Sequence, residues 1–408
     1  MPLFLGATGE DILTRRGTAD FLARLREELY GRMAHLPPGE ELPFLRGVDG
    51  ALGAEIAFEE RFGADFAALL EELDEADTPA RLAASVATAR EMVAGHFRRR
   101  GSLPAFHLLA TAAFDRGTAA ALRLALRWME VHGPGVPASP WCWLALGEAG
   151  RVEATLAVPG EFLLVHGAEG ADEASLFAGF AGKAVEILME AGLASQKGAV
   201  PSFPAWRGSM AEWRTRITSR AAEGNGDLEG LVRLADLRLV AGDASLAAGM
   251  VNLLRAMLGY FQDSLREMAR RTAMMPSGFD FFGRLRVERG GEHRGEFDLG
   301  LYGVGPLVAA ARVLTVKYDV PETGTIGRIR GLLAGGKVDV ELAERLLHAW
   351  HVIGRYAVGG LVAREDGKRG AFVAPGTLAE QELDELRRGI EAVGALQKLV
   401  YSSFSGEG

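Results

Sequence analysis

Residues 143–165 read WLALGEAGRVEATLAVPGEFLLV, and the rest of the chain is organised around them. An apolar run, Trp141 to Leu146, meets a glycine-bracketed turn, Gly147-Glu148-Ala149-Gly150-Arg151. A second apolar segment follows over 152–158, then a break at Pro159-Gly160, then a third run over 162–166. Runs this short, bounded by Gly and Pro, read as buried strands rather than helices. The turn itself has two readings. It is an ordinary hairpin turn, or its free backbone N–H groups and the arginine at its exit cradle a phosphate.

At 408 residues the chain exceeds one ordinary core, which predicts two or three domains. Hydrophobic residues make up 48% and charged residues 24%, enough material for soluble cores. A formal net charge of −9 argues against broad binding to nucleic acid or to an anionic membrane. The single cysteine, Cys142, lies inside an apolar run, so it reads as a small buried hydrophobe and not as a nucleophile. No basic leader with an apolar core and no apolar stretch of membrane-spanning length is read, which points to the cytoplasm and to no membrane partner.

Outward from the central stretch, residues 1–135 read as a helical region. Helical spacing runs over 18–36, then from Glu41 to Phe62 with interruptions at Gly47, Gly50 and Gly53. Thr78-Pro79 marks a fresh helix start, and alanine-rich periodicity follows over 80–98 and 104–131. Arg98-Arg99-Arg100 before Gly101 reads as a helix end whose cations complement the dipole. His132-Gly133-Pro134-Gly135-Val136-Pro137 is a linker by composition.

Beyond it the character changes. Strands at 141–146, 152–158 and 162–166, a helix from Asp172 to Gly192 capped by Asp172, a helix from Gly208-Ser209 carrying Trp213, and an alternating strand at 234–240 make a small α/β core over 138–245. Residues 246–408 read as a helical domain. It opens with one long amphipathic helix from Asp243 to Met274. A hairpin over 284–302 turns at Gly290-Gly291, and breaks fall at Gly359-Gly360 and over 365–376. The fold class is α+β, mostly α, without an internal repeat.

Several segments together resemble one family. Gly147-Glu148-Ala149-Gly150-Arg151 with Glu153 and Thr155 is similar to the first active-site turn of nucleotidyltransferase-fold proteins. The nearer resemblance is to the bacterial group similar to PII uridylyltransferase, whose members often carry CBS or cyclic-nucleotide-binding domains upstream. Residues 204–213, PAWRGSMAEW, resemble the segment after its first helix, and Asp236-Leu237-Arg238 with Gly242-Asp243 its later catalytic strand. Residues 282–306 resemble the start of its C-terminal substrate-binding helical domain. The similarity spans roughly 75–360; the first 75 residues do not match the group's usual sensor domains.

The resemblance implies divalent metals, Mg²⁺ above all, held by carboxylates: an Asp-x-Asp pair on one strand and a third carboxylate on a later one. Residues i and i+2 of a strand share a face, which is why such a pair is spaced that way. Here Asp-x-Asp falls on Pro159-Gly160-Glu161, and the family's phosphate-holding Ser falls on Glu148. Like charge at ~4 Å costs about 1 kcal/mol even in water. A polar position of the family is Phe203, and Gly300 and Tyr302 stand where a basic residue is expected.

Glu161 and Asp236 survive as candidate catalytic and metal-binding residues. Gly147, Glu148, Gly150, Arg151, Arg207, Arg238 and Arg294 are the candidate nucleotide-binding set, since arginine forks suit phosphate. His293 reads as a loop residue, His348 and His351 as helix residues without ligand companions, and Trp141 and Trp143 as packing. The expectation is a catalytically degenerate protein of signalling or regulation, acting through a nucleoside triphosphate or a protein partner, with no nucleic acid. The alternatives are an active Mg²⁺-dependent nucleotidyltransferase using Glu161 and Asp236, and a structural helical interaction module.

Overall fold

A computed structural model describes residues 39–167, 170–222, 233–260, 262–363 and 371–405, besides Gly31, Leu36 and Pro37. The helix expected over 18–36 falls almost wholly outside them. Helix α1, Glu41–Glu75, runs unbroken through Gly47, Gly50 and Gly53. Each glycine costs only about 1 kcal/mol against alanine. Its proline, Pro43, sits in the first turn, where no ladder bond is lost, so the helix persists, and Phe66, Leu69 and Leu73 bury its later half.

Helix α2, Pro79–Arg100, begins as the sequence predicts: the Thr78 hydroxyl accepts from the Arg81 N–H at 3.3 Å, and Pro79 fills the first turn. Gly101, at φ 63°, ends it in the left-handed region, with Arg98, Arg99 and Arg100 in the last turn. Ser102 caps α3, Leu103–His132, by accepting from Ala105 N–H at 3.3 Å.

Four strands follow: β1, Trp141–Leu146; β2, Glu161–His166; β3, Arg207–Ser209; and β4, Arg238–Gly242. Their order in the sheet is β3-β2-β1-β4. β2 and β4 flank β1 antiparallel, and β3 runs parallel to β2. Helix α4, Ala171–Glu190, packs against α3 and covers the sheet, with Trp143 meeting the rings of Phe162 and Phe180. Phe114 of α3 stacks on Phe162 at 5.5 Å, so helix and sheet share one core. Cys142 is buried there, and burial pushes its thiol up to about 12. Helix α5, Met210–Ala222, carries the buried Trp213, whose indole N–H donates to Leu164 O at 3.2 Å.

The structure differs from the sequence expectation at several elements. Residues 152–158 form no strand: Val152 at φ 60° and Leu156 at φ 58° are left-handed, which extended pairing forbids. The strand expected over 234–240 begins only at Arg238, because Leu234–Asp236 winds into a 3₁₀ turn. Helix α4 is preceded by Gly170 at the cap position, not Asp172, and ends at Glu190.

The long helix expected to Met274 is two, α6 (Ala244–Tyr260) and α7 (Gln262–Ala273). No hairpin spans 284–302. Strand β5, Phe297–Asp298, pairs instead with β6, Phe372–Val373, from the far loop. Helices α8 (Gly305–Lys317), α9 (Thr325–Ala334), α10 (Val340–Ala363) and α11 (Glu380–Ser405) complete the chain. Helix α10 runs through Gly359-Gly360 without a break. Among the described residues no single helix is long and apolar enough to cross a membrane.

Candidate functional site

The turn after β1 is the hinge of the site. Gly147, at φ 58°, takes the chain from Leu146 into one helical turn, Gly147–Gly150. Arg151 N–H closes that turn on Gly147 O at 3.0 Å, and Glu153 N–H donates to Glu148 O at 2.8 Å. Gly150 is required by packing: a Cβ there would lie 2.1 Å from Asp236 O and 2.9 Å from Ala145 O. Because Leu146 pairs with Glu161, the first residue of β2 sits beside Gly147. A Cβ on Gly147 would lie 3.4 Å from Glu161 Oε2, and one on Gly198 would lie 3.2 Å from Glu161 Cγ.

A cleft of about 720 Å³ opens over this turn. One wall is the sheet side, with Gly147, Glu148, Arg151, Pro159, Glu161 and Lys197; the other comes from the C-terminal half, with Met275, Val304, Val308 and Arg312. Phe114 lines it from α3. Glu161 is ion-paired with Arg233, also at the cleft. Burial raises the Glu148 carboxyl above its ordinary value, Glu153 adds to this, and Arg151 opposes it. Thr155 Oγ1 sits 3.5 Å from Glu148 Oε2.

Behind the cleft lies a buried charge knot that ties the two halves together. Asp236 has no exposed surface. Its Oδ2 accepts from Arg151 Nη1 at 2.8 Å and Arg312 Nη2 at 2.5 Å. Its Oδ1 accepts from Arg312 Nε at 3.0 Å and lies 2.8 Å from Arg328 Nη2. Glu153 takes the other side of Arg151 at 2.6 Å and accepts the Thr325 N–H, at the start of α9, at 2.6 Å. Burial alone would raise the Asp236 carboxyl, but the guanidinium groups of Arg312, Arg151 and Arg328 outweigh it and hold it below the usual range.

Of the residues expected to bind nucleotide, Gly147, Glu148 and Arg151 line the cleft, with Glu161. The others are placed elsewhere. Gly150 packs under Asp236. Arg238 gives both its Nη atoms to Asp115, at 2.8 and 2.7 Å, and also holds Ala149 O. Arg207 donates to Pro201 O at 3.0 Å and Ser202 O at 2.6 Å. Arg294 is exposed in the loop before β5, where His293 stacks on Phe372 at 3.7 Å. His348 and His351 lie on α10.

Sequence reasoning missed Lys197, Arg233, Arg312 and Arg328. A signal existed for one of them: Arg312 stands alone in the apolar run VAAARVL, whereas Arg328 shares its short helix, TIGRIRGLLA, with Arg330. A charge inside such a run is buried and paired more often than not.

Mg²⁺ wants oxygen ligands in near-octahedral geometry. Pro159 supplies none, and both oxygens of Asp236 are taken by arginines. Among the described residues no three His, Cys, Asp or Glu side chains group where they could hold a metal ion. The residues present do not fit it.

Residues 87–227 match the family model described as Putative nucleotidyltransferase DUF294. Residues 262–404 match the one described as Putative nucleotidyltransferase substrate binding domain. No match is found among curated proteins. The two matches meet across the cleft and together take in well over half of the chain, so the protein belongs to this nucleotidyltransferase family, with its substrate-binding domain.

Proposed function

We propose that this chain uses the nucleotidyltransferase frame to bind a nucleotide without transferring it, and acts in cytoplasmic regulation or signalling through that ligand or a protein partner. The observation that supports this most is Asp236. By the family resemblance, nucleotidyl transfer would draw a metal ligand from this position, and here the carboxylate is buried under three guanidinium groups. A metal would have to displace arginines from both halves of the molecule before binding. Pro159 and Glu148 remove two further parts of the apparatus that the family resemblance implies. What remains at the cleft is a ligand-sized space with cations from both walls.

The test pairs two assays on the full chain. Pyrophosphate release from ATP, UTP, GTP and CTP with Mg²⁺ or Mn²⁺ should stay at background, while equilibrium dialysis detects nucleotide binding. Pyrophosphate release that Glu161→Gln and Asp236→Asn each abolish would sink the reading in favour of an active transferase. Absence of any nucleotide binding would leave the helical interaction module.

A further inference from the structure

Six charged side chains line the cleft: Glu148, Arg151, Glu161, Lys197, Arg233 and Arg312. Arg151 and Arg312 are already held from behind by Asp236. Arg233 is differently placed. Its partner is Glu161, and both stand at the cleft, with side chains 40% and 19% exposed. Burial, and next the charge of Arg312, lower the Arg233 guanidinium. Arg233 and Arg312 thus lie within electrostatic reach of each other, Arg312 committed to the buried Asp236 and Arg233 to a carboxylate that itself stands at the cleft.

We infer that the cleft takes a nucleoside monophosphate without a divalent ion, the phosphate meeting Arg233 and displacing Glu161, which otherwise occupies that guanidinium. The inference rests on the cleft being the nucleotide site and names the class it takes. A phosphate monoester carries close to two negative charges at neutral pH and three acceptor oxygens, so it outcompetes a single carboxylate for an arginine fork. An ion pair this exposed is worth a factor of only about two to five to its partners, so its displacement costs little. Gly147 and Gly198 flank Glu161 with no side chain against it, and its other contact is one long hydrogen bond, accepted from the Ala199 N–H at 3.4 Å. A free triphosphate brings about twice the charge into a cleft that already holds Glu148 and Glu161, and the donor set offers no metal to neutralise it. Val158, Val304, Val308 and Met275 give the nucleoside an apolar wall.

The metal-bound and metal-free ideas predict opposite signs for one substitution. Titration calorimetry on the full chain would use the four common nucleoside monophosphates, ATP, UTP and inorganic phosphate, each in EDTA and in Mg²⁺. A monophosphate should bind in EDTA, more tightly than ATP or inorganic phosphate, with Mg²⁺ changing its affinity less than twofold. Glu161→Gln should tighten it about two- to fivefold, and Arg233→Gln should weaken it about tenfold or more. Thermal melts of both variants establish that they fold. Binding that needs Mg²⁺ and is lost in Glu161→Gln overturns the inference while leaving the cleft a nucleotide site. Inorganic phosphate binding as tightly as any nucleotide overturns the assignment of a nucleoside. No binding in either buffer overturns the inference and the nucleotide reading together.

Discussion

Asp236 is held by side chains that its neighbours in sequence do not name. The alternation around it predicts a strand over 234–240, but a 3₁₀ turn over Leu234–Asp236 sets it before the strand begins. Its partners, Arg151, Arg312 and Arg328, lie up to 92 positions away in the sequence, so no local spacing could name them. Losing one side of a buried ion pair leaves the other uncompensated, at a cost of about 3–5 kcal/mol. Asp236→Asn should therefore lower stability by about that much in urea unfolding at neutral pH. The pH dependence has a definite sign. Because folding lowers this carboxyl, its contribution is complete above its ordinary value of 3.8 and is lost as pH falls through the lower folded value. The wild-type acid limb should be steeper below about pH 4 than that of the Asn variant. Parallel limbs would remove Asp236 from the ion-pair account.

At the scale of elements, what the sequence made legible was the structure fixed by local signals. Thr78-Pro79 and Gly101 bound α2 as capping chemistry requires, and the apolar runs at 141–146 and 162–166 are paired strands. What it hid was settled by tertiary contact. The 152–158 run has strand composition, but its buried Ala154 and Leu156 serve a loop that wraps the cleft rim. Strand β5 finds its partner some 75 residues downstream, so the glycine pair at 290–291 had no hairpin to close. The glycines make the same point testable. Gly150 has backbone oxygens within 2.9 Å of a would-be Cβ, whereas Gly182 on α4 has nothing within 4 Å. Gly150→Ala should cost about 1–3 kcal/mol or more through overpacking. Gly182→Ala should gain about 0.5–1 kcal/mol through helix propensity. Equal effects in denaturant unfolding would mean that Gly150 is held by something other than this close approach.

For the whole molecule, the family order was legible because its two matching regions follow each other in sequence, but the site lies between them and depends on side chains that neither supplies alone. Arg312 belongs to both the cleft wall and the buried knot, so it couples the cleft to what joins the halves. Arg312→Gln removes two of the contacts to Asp236 and leaves those of Arg151 and Arg328, so the chain should still fold, at a cost of about 1.5–3 kcal/mol. Its distinctive effect is where the structure loosens. Hydrogen exchange should quicken in the turn at 147–153, in 234–238 and at the start of α9, because these segments meet through the knot. Helices α1 and α2 pack on each other, with Leu73, Leu82 and Val86 buried, and among the described residues neither bonds to the knot, so their protection should hold. A uniform loss of protection would mean that Arg312 supports general stability only. No change at 234–238 would mean that Arg151 and Arg328 hold the two halves together without it.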